Sequence, residues 1–301
     1  GALTQSGDIT IDVLTDKTLT YSGAALNLGA NTLTLTGGGT LSNTNAFVLN
    51  NADSLLSLSG ITTFGDIEGT SASNQNKGVA VTSSATMGDY DLSAVSYLSI
   101  GGAGVTLAGQ LNLNPDGEII TSGEGKYTGD IELAGGTFTA AASLTLDGTV
   151  SITADSEIKA SGGALTLTQA GGLAIGANTL TVSGGNSLQS EVVTLDNPNS
   201  KLILNEIYIN KVVTSSDSLG IDVDADSVIP TFEIGHTTPV SIAQGIALYG
   251  TINVSAGSIN LDETGTLAST VAMAGGTLDV DETATVSGAL SHSADITIDV
   301  L

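Results

Sequence analysis

The sequence contains no cysteine, no arginine and no tryptophan, and only four prolines. Without cysteine there are no disulfides, no thiolate metal ligands and no cysteine nucleophile. Without arginine, and with only six lysines against 31 acids, no basic footprint exists to neutralise phosphates, so nucleic-acid binding is excluded. Anionic lipid surfaces are disfavoured for the same reason. The missing tryptophan, in a chain only 3% aromatic, removes the bulky anchor of many β-sandwich cores. It also removes the usual sugar-stacking platform and leaves six tyrosines. No collagen-like G-X-Y triplet, secretory leader or apolar run of 18 residues is present. No membrane insertion is expected. The chain reads as beginning inside a larger protein.

What is present is aliphatic and glycine-rich. Hydrophobic residues make up 41% of the 301 positions, 39 residues are glycine, and the net charge is -25. That apolar content is enough for a core, built of Ala, Val, Ile and Leu in thin regular layers. The acidic surface keeps such a chain soluble and self-repelling.

Repeats organise the sequence. GALTQSGDITIDVL at Gly1–Leu14 returns as GALSHSADITIDVL at Gly288–Leu301, differing at Thr4/Ser291, Gln5/His292 and Gly7/Ala294. GANTLTLTGGGTL from Gly29 returns as GANTLTVSGGNSL from Gly176. LNNADSLLSL from Leu49 aligns with LDNPNSKLIL from Leu195, VTSSATMG from Val81 with VTSSDSLG from Val213, and AGGTF from Ala134 with AGGTL from Ala274. The expected organisation is two homologous units, 1–147 and 148–287, with 288–301 starting a third. The terminal segments then mark the phase of a longer period.

Within each unit, segments such as LTLT, LSLSG, LNLN, IELAGG and LILNE alternate aliphatic with polar residues. That period of two is the signature of half-buried strands, and Gly, Asn and Asp bound them as turns. The best helical candidate is the short DLSAVSYL at Asp91–Leu98. Strands this short and numerous exclude a doubly wound sheet. The remaining choices are a string of β-sandwiches and a parallel β-solenoid. Long units with few aromatics favour an all-β parallel β-solenoid (β-helix) of tandem repeats, with about 14 coils of roughly 20 residues each. Two stretches depart from the texture and are expected as loops: Thr62–Lys77 and Ser227–Pro239.

The stretch GANTLTLTGGGTLSNTNAFVLNNADSLLSLSG resembles the β-helical passenger regions of bacterial autotransporters and filamentous haemagglutinin-type adhesins, and the repeat regions of giant bacterial surface proteins. The resemblance implies an exported bacterial protein, extracellular or at the cell surface. It also implies a filament that adheres to a host-cell or matrix surface. Its partners would be neighbouring repeats or copies of itself end to end, because neither terminus reads as a polar cap. Haemagglutinin secretion domains carry Asn-Pro-Asn motifs; the single Asn197-Pro198-Asn199 here reads as a turn.

Few residues suggest chemistry. Lyases acting on acidic sugars need arginine or clustered lysine, and glycoside hydrolases need a placed carboxylate pair; neither stands out. His236 and His292 are the only histidines, no G-x-S-x-G surrounds a serine, and both read as surface residues. The expectation is a non-catalytic protein without a required cofactor. Calcium is the one candidate ligand. Asp222, Asp224, Asp226 and Glu233 occupy positions 1, 3, 5 and 12 of a calcium-loop pattern. Ser227 stands where that loop needs glycine, and the three alternating aspartates also fit the outward side of a strand. Thr-x-Thr pairs at Thr32–Thr36, Thr166/Thr168 and Thr179/Thr181 are too intermittent for an ice-binding ladder. The alternatives to a structural fibre are a glycan-binding adhesin module and a β-helical polysaccharide-processing enzyme.

Overall fold

Alternation of aliphatic and polar residues becomes, in three dimensions, alternation of inside and outside. A computed structural model describes residues 5–261, 265–280 and 285–300. Gly1–Thr4 of the repeated opening and Leu301 lie outside them. Among the described residues there is no helix; the chain is a parallel β-solenoid of about 14 turns. It divides into two compact units, Gly1–Val150 and Ser151–Leu301.

In the first unit, strand Ile9–Asp12 pairs in parallel with Thr32–Thr36, which pairs with Leu55–Ser59, then Gly78–Val81, Val95–Ile100, Glu118–Ser122 and Thr137–Ala140. One turn takes 24 residues from Ile9 to Leu33, 23 from Leu33 to Leu56 and 19 from Val79 to Leu98. In-register pairing stacks like on like. Leu33, Leu56, Val79 and Leu98 form one inward row, and Leu35, Leu58, Val81 and Ile100 form the next. All eight are buried, each contributing about 2 kcal/mol of apolar transfer energy. A second series of strands lines the other side of the core with Phe47, Ile67, Tyr90, Leu111 and Ile131 in register. The second unit repeats the scheme, with Val182, Leu204, Val223 and Ile242 in one row and Val193, Val212, Phe232, Ile252 and Val271 in another.

Several polar residues that enter the core are hydrogen-bonded there. Ser96 faces inward, and its hydroxyl lies 2.6 Å from the buried Tyr90 hydroxyl. Thr121 stands below Leu98 in the inward row and donates its Oγ1 proton to the Thr139 carbonyl at 3.2 Å. The Tyr127 hydroxyl donates to the Gly109 carbonyl at 3.0 Å. Backbone crowding explains one glycine series. Gly109, Gly129 and Gly148 stand one above another. A β-carbon on Gly129 would strike the Gly109 carbonyl oxygen, and one on Gly148 would strike that of Gly129.

The corners carry the clearest signature of the repeats. In the first unit Asn31 Nδ2 donates to the Leu28 carbonyl, and the Gly29 N–H donates to Asn50 Oδ1 one turn on. Ser54 Oγ donates to the Gly29 carbonyl at 2.6 Å and accepts the Asn51 N–H at 3.1 Å. In the second unit Asn178 Nδ2 donates to the Ile175 carbonyl, and the Gly176 N–H to Asp196 Oδ1. Ser200 Oγ likewise donates to the Gly176 carbonyl at 2.5 Å and accepts the Asn197 N–H at 3.0 Å. Gly29 and Gly176 both take a left-handed conformation, with φ of 59° and 65°, which glycine adopts without steric cost. Asp8 and Asp155 each accept a backbone N–H from the next turn, from Thr32 and Thr179, both at 2.7 Å.

Several expectations change. DLSAVSYL is no helix: it spans the end of strand Ala85–Leu92 and the start of Val95–Ile100. Tyr90, Leu92, Leu98 and Ile100 point inward at a period of two, which a helix would scatter around its circumference. Within Ser227–Pro239 only 235–238 is a turn; the rest is the eight-residue strand Ser227–Ile234 and the first residue of Pro239–Ile242. Pro230, which cannot donate to a ladder, sits where the register shifts between Ile229 and Phe232. Thr62–Lys77 holds the strand Ile67–Gly69 and buries Phe64 and Ile67. The VTSS segments are not equivalent in position. Val81 ends a strand of the first series, whereas Val213 lies in Lys211–Thr214 of the second.

Ser54 and Ser200 are fully buried, each holding one N–H and one carbonyl of a corner. Ser54→Ala or Ser200→Ala leaves both groups unpaired and lowers stability by about 2 kcal/mol. A urea titration checks this: the midpoint falls while the slope is unchanged. An unmoved midpoint would show that the corners are not held by these hydroxyls.

Candidate functional site

The sequence-predicted calcium residues do not converge. Asp222 points outward from strand Gly220–Val223, and its Oδ2 lies 2.6 Å from Lys201 Nζ on the preceding turn. Asp224 follows the strand and is exposed. Asp226 Oδ1 accepts the Ala247 N–H at 2.8 Å. Glu233 lies near the far end of strand Ser227–Ile234, in the other strand series, with its Oε1 3.0 Å from Lys211 Nζ. The pattern needs a loop that wraps an ion, but residues 227–234 are extended and carry Glu233 away from the three aspartates. Among the described residues, no three His, Asp or Glu side chains are grouped to hold a metal ion.

His236 is exposed in the turn after strand Ser227–Ile234. His292 pairs with Met273 at the end of strand Leu290–His292 and is also exposed. The Asn197-Pro198-Asn199 segment is a turn in which the Asn199 N–H donates to Asn197 Oδ1 at 3.0 Å. Asn51-Ala52-Asp53 makes the same bond, from the Asp53 N–H to Asn51 Oδ1, also at 3.0 Å.

Four of the six lysines are ion-paired. Lys126 pairs with Asp147, Lys159 with Glu157, Lys201 with Asp222 and Lys211 with Glu233, at 2.6 to 3.2 Å. All four pairs are partly exposed, so each contributes well under about 1 kcal/mol. They offset like-charge repulsion between stacked acids rather than forming a binding cluster.

A concavity lies in the second unit. It has a volume of about 480 Å³ and runs across successive turns, lined among others by Glu233, Asn253, Ser255, Met273, Ser291 and His292. Glu233, Asn253, Ala272 and Ser291 are register neighbours on consecutive strands, so the groove follows the repeat axis of that unit. It offers amide, hydroxyl and imidazole groups beside one lysine-paired carboxylate.

In the first unit the outward rows gather acids instead. Glu68 pairs across from Asp91, with Asp66 and Asp89 beside them in the neighbouring row. Asp66 Oδ1 accepts the Asp89 N–H at 3.1 Å, and Asn112 Nδ2 donates to Asp91 Oδ1 at 2.6 Å. Desolvation, followed by the negative charges of Asp66 and Asp91, raises the Asp89 carboxyl above its ordinary range.

No protein-family model matches the chain, and no curated protein and no solved structure matches it. No helix long and apolar enough to cross a membrane is present among the described residues.

The raised carboxyl has a stability consequence. The folded state holds a proton on Asp89 at pH values where the unfolded chain has released it, so its cost appears as pH rises through the folded-state value. Asp89→Asn removes that cost. The variant is expected to be more stable at pH 7, by no more than a few tenths of a kcal/mol because solvent screens so exposed a carboxylate. The gain should vanish below the ordinary aspartate range and shrink in high salt. Thermal melts at pH 3 and pH 7 check the sign; a gain that persists in acid would rule out the electrostatic cause.

Proposed function

We propose that the chain is a non-catalytic structural module of an exported bacterial fibre, in which β-helical repeats stack end to end at the cell surface. One observation carries the reading. The same corner bonds recur at equivalent residues of both units: Asn31, Gly29 and Ser54 in one, Asn178, Gly176 and Ser200 in the other. Side chains that elsewhere build active sites are committed here to joining one turn to the next. Aspartates accept N–H groups of neighbouring turns, lysines neutralise adjacent acids, and asparagines close corners. A chain used this way supplies length and rigidity.

The repeated motif occupies the same strand series in both units. Strand Thr297–Val300 pairs with Thr277–Val280, and Ile298 stands opposite Leu278. In the first unit Ile11, its counterpart in the repeated motif, stands opposite Leu35. Neighbouring repeats or further copies are therefore the natural partners, and the outward rows are the faces offered to a host-cell or matrix surface. No cofactor enters this reading.

Electron microscopy of the native material tests it. Uniform filaments with an axial repeat set by the 287-residue period (288 minus 1) are expected. Discrete particles with a deep cleft would overturn the fibre.

A further inference from the structure

The ten aromatic residues are distributed very unevenly. Phe47, Phe64, Phe138, Phe232, Tyr90 and Tyr127 are buried, and Tyr21 and Tyr97 are half-buried. Only Tyr208 and Tyr249 stand more than a third exposed, at 38% and 43%. These two belong to the same outward row of the second unit. Tyr208 pairs with Val228, and Val228 pairs with Tyr249. The rings are thus two turns apart on one face, roughly 9–10 Å at the spacing of paired strands.

The surroundings define what such a row can hold. The apolar stripe widens only at Pro230 beside Val228, too narrow for the contiguous patch of a protein interface. Beyond Val228 the half-buried Pro230 follows, and past it the outward residues of these turns are polar. Lys211 stands opposite Thr231, Thr251 opposite Thr270, and Glu233 opposite Asn253. The last pair lines the groove of about 480 Å³. A flat aromatic row bordered by hydroxyl, amide and ion-paired groups suits a pyranose ring, whose faces are apolar and whose edge carries hydroxyls. In an extended β-1,4-linked chain, alternate sugars turn the same face to one side. A two-turn ring separation matches that alternation. The net charge of -25 repels polyuronates and selects a neutral chain.

We propose that the Tyr208–Val228–Tyr249 row is a binding site for an extended neutral β-1,4-linked polysaccharide lying along the repeat axis of the second unit. Tyr208 and Tyr249 stack on alternate sugars, Val228 underlies the sugar between them, and the hydroxyls of Thr231 and Thr251 meet the ring hydroxyls. This assignment stands apart from the fibre reading and holds whether or not the chain forms filaments.

Native gel electrophoresis of the full chain tests it, with hydroxyethylcellulose, galactomannan or polygalacturonate cast into the gel. Retardation by at least one of the two neutral polymers, and none by polygalacturonate, is expected. Tyr208→Ala and Tyr249→Ala should each weaken binding roughly tenfold, and the double variant should migrate as in a blank gel. Tyr249→Phe should keep most of the retardation, because the ring face is retained. Far-UV circular dichroism should be unchanged in all variants, since both side chains are exposed. Unretarded wild-type protein in both neutral gels would overturn the proposal, as would a double variant retarded like the wild type. So would sedimentation showing self-association that the alanine variants lose, since the row would then be a contact between copies.

Discussion

Each turn of this protein hydrogen-bonds in register to the turn before it, and that pairing constrains every other feature. Parallel in-register stacking at the strand spacing means a residue's nearest neighbours are the residues one turn away at the same place in the coil. An inward position must therefore suit its own repetition. Branched aliphatics do, and rows such as Leu33–Leu56–Val79–Leu98 follow. Where the backbones draw closest, only hydrogen fits beneath the next carbonyl, and Gly109, Gly129 and Gly148 recur.

The same constraint explains how so acidic a chain tolerates its charge. Stacked carboxylates repel, and the chain answers in two ways. Asp8, Asp155 and Asp226 turn a carboxylate oxygen onto a backbone N–H of a neighbouring turn, satisfying a donor at a corner. Lysines sit beside acids one turn away, as Lys201 does beside Asp222 and Lys211 beside Glu233. At Asp66, Glu68, Asp89 and Asp91 no lysine is paired, and the Asp89 carboxyl is raised by desolvation first and by the charges of Asp66 and Asp91 second.

Much of this was legible in one dimension. The alternation in LTLT and LILNE foretold strands with one buried side, because a period of two can place residues on only two faces. The glycine and asparagine corners at Gly29-Ala-Asn31 and Gly176-Ala-Asn178 were visible as repeated words. Irregular stretches misled. Ser227–Pro239 looked like a loop because Pro230 interrupts it, yet a bulge absorbs the proline and the strand continues. The matching VTSS words suggested matching places, but short polar segments serve either strand series. The calcium spacing in IDVDADSVIPTFE dissolved because extended backbone separates Asp222 from Glu233 where a loop would have joined them. Tyr208 and Tyr249 carried no signal at all, being 41 residues apart in a sequence with four other tyrosines.

What the sequence determined by itself was local and periodic: strands, turns, the aliphatic interior, the acidic exterior and the absence of disulfides. These follow from residue type and nearest neighbours along the chain. Register was decided only in the tertiary structure. Turns vary between 19 and 24 residues, so no fixed period in the sequence says which residue stands over which. Hydrogen bonding between turns sets that alignment. It alone placed Tyr208 and Tyr249 in one row, Lys201 beside Asp222, and Glu233 apart from the aspartates it was expected to join.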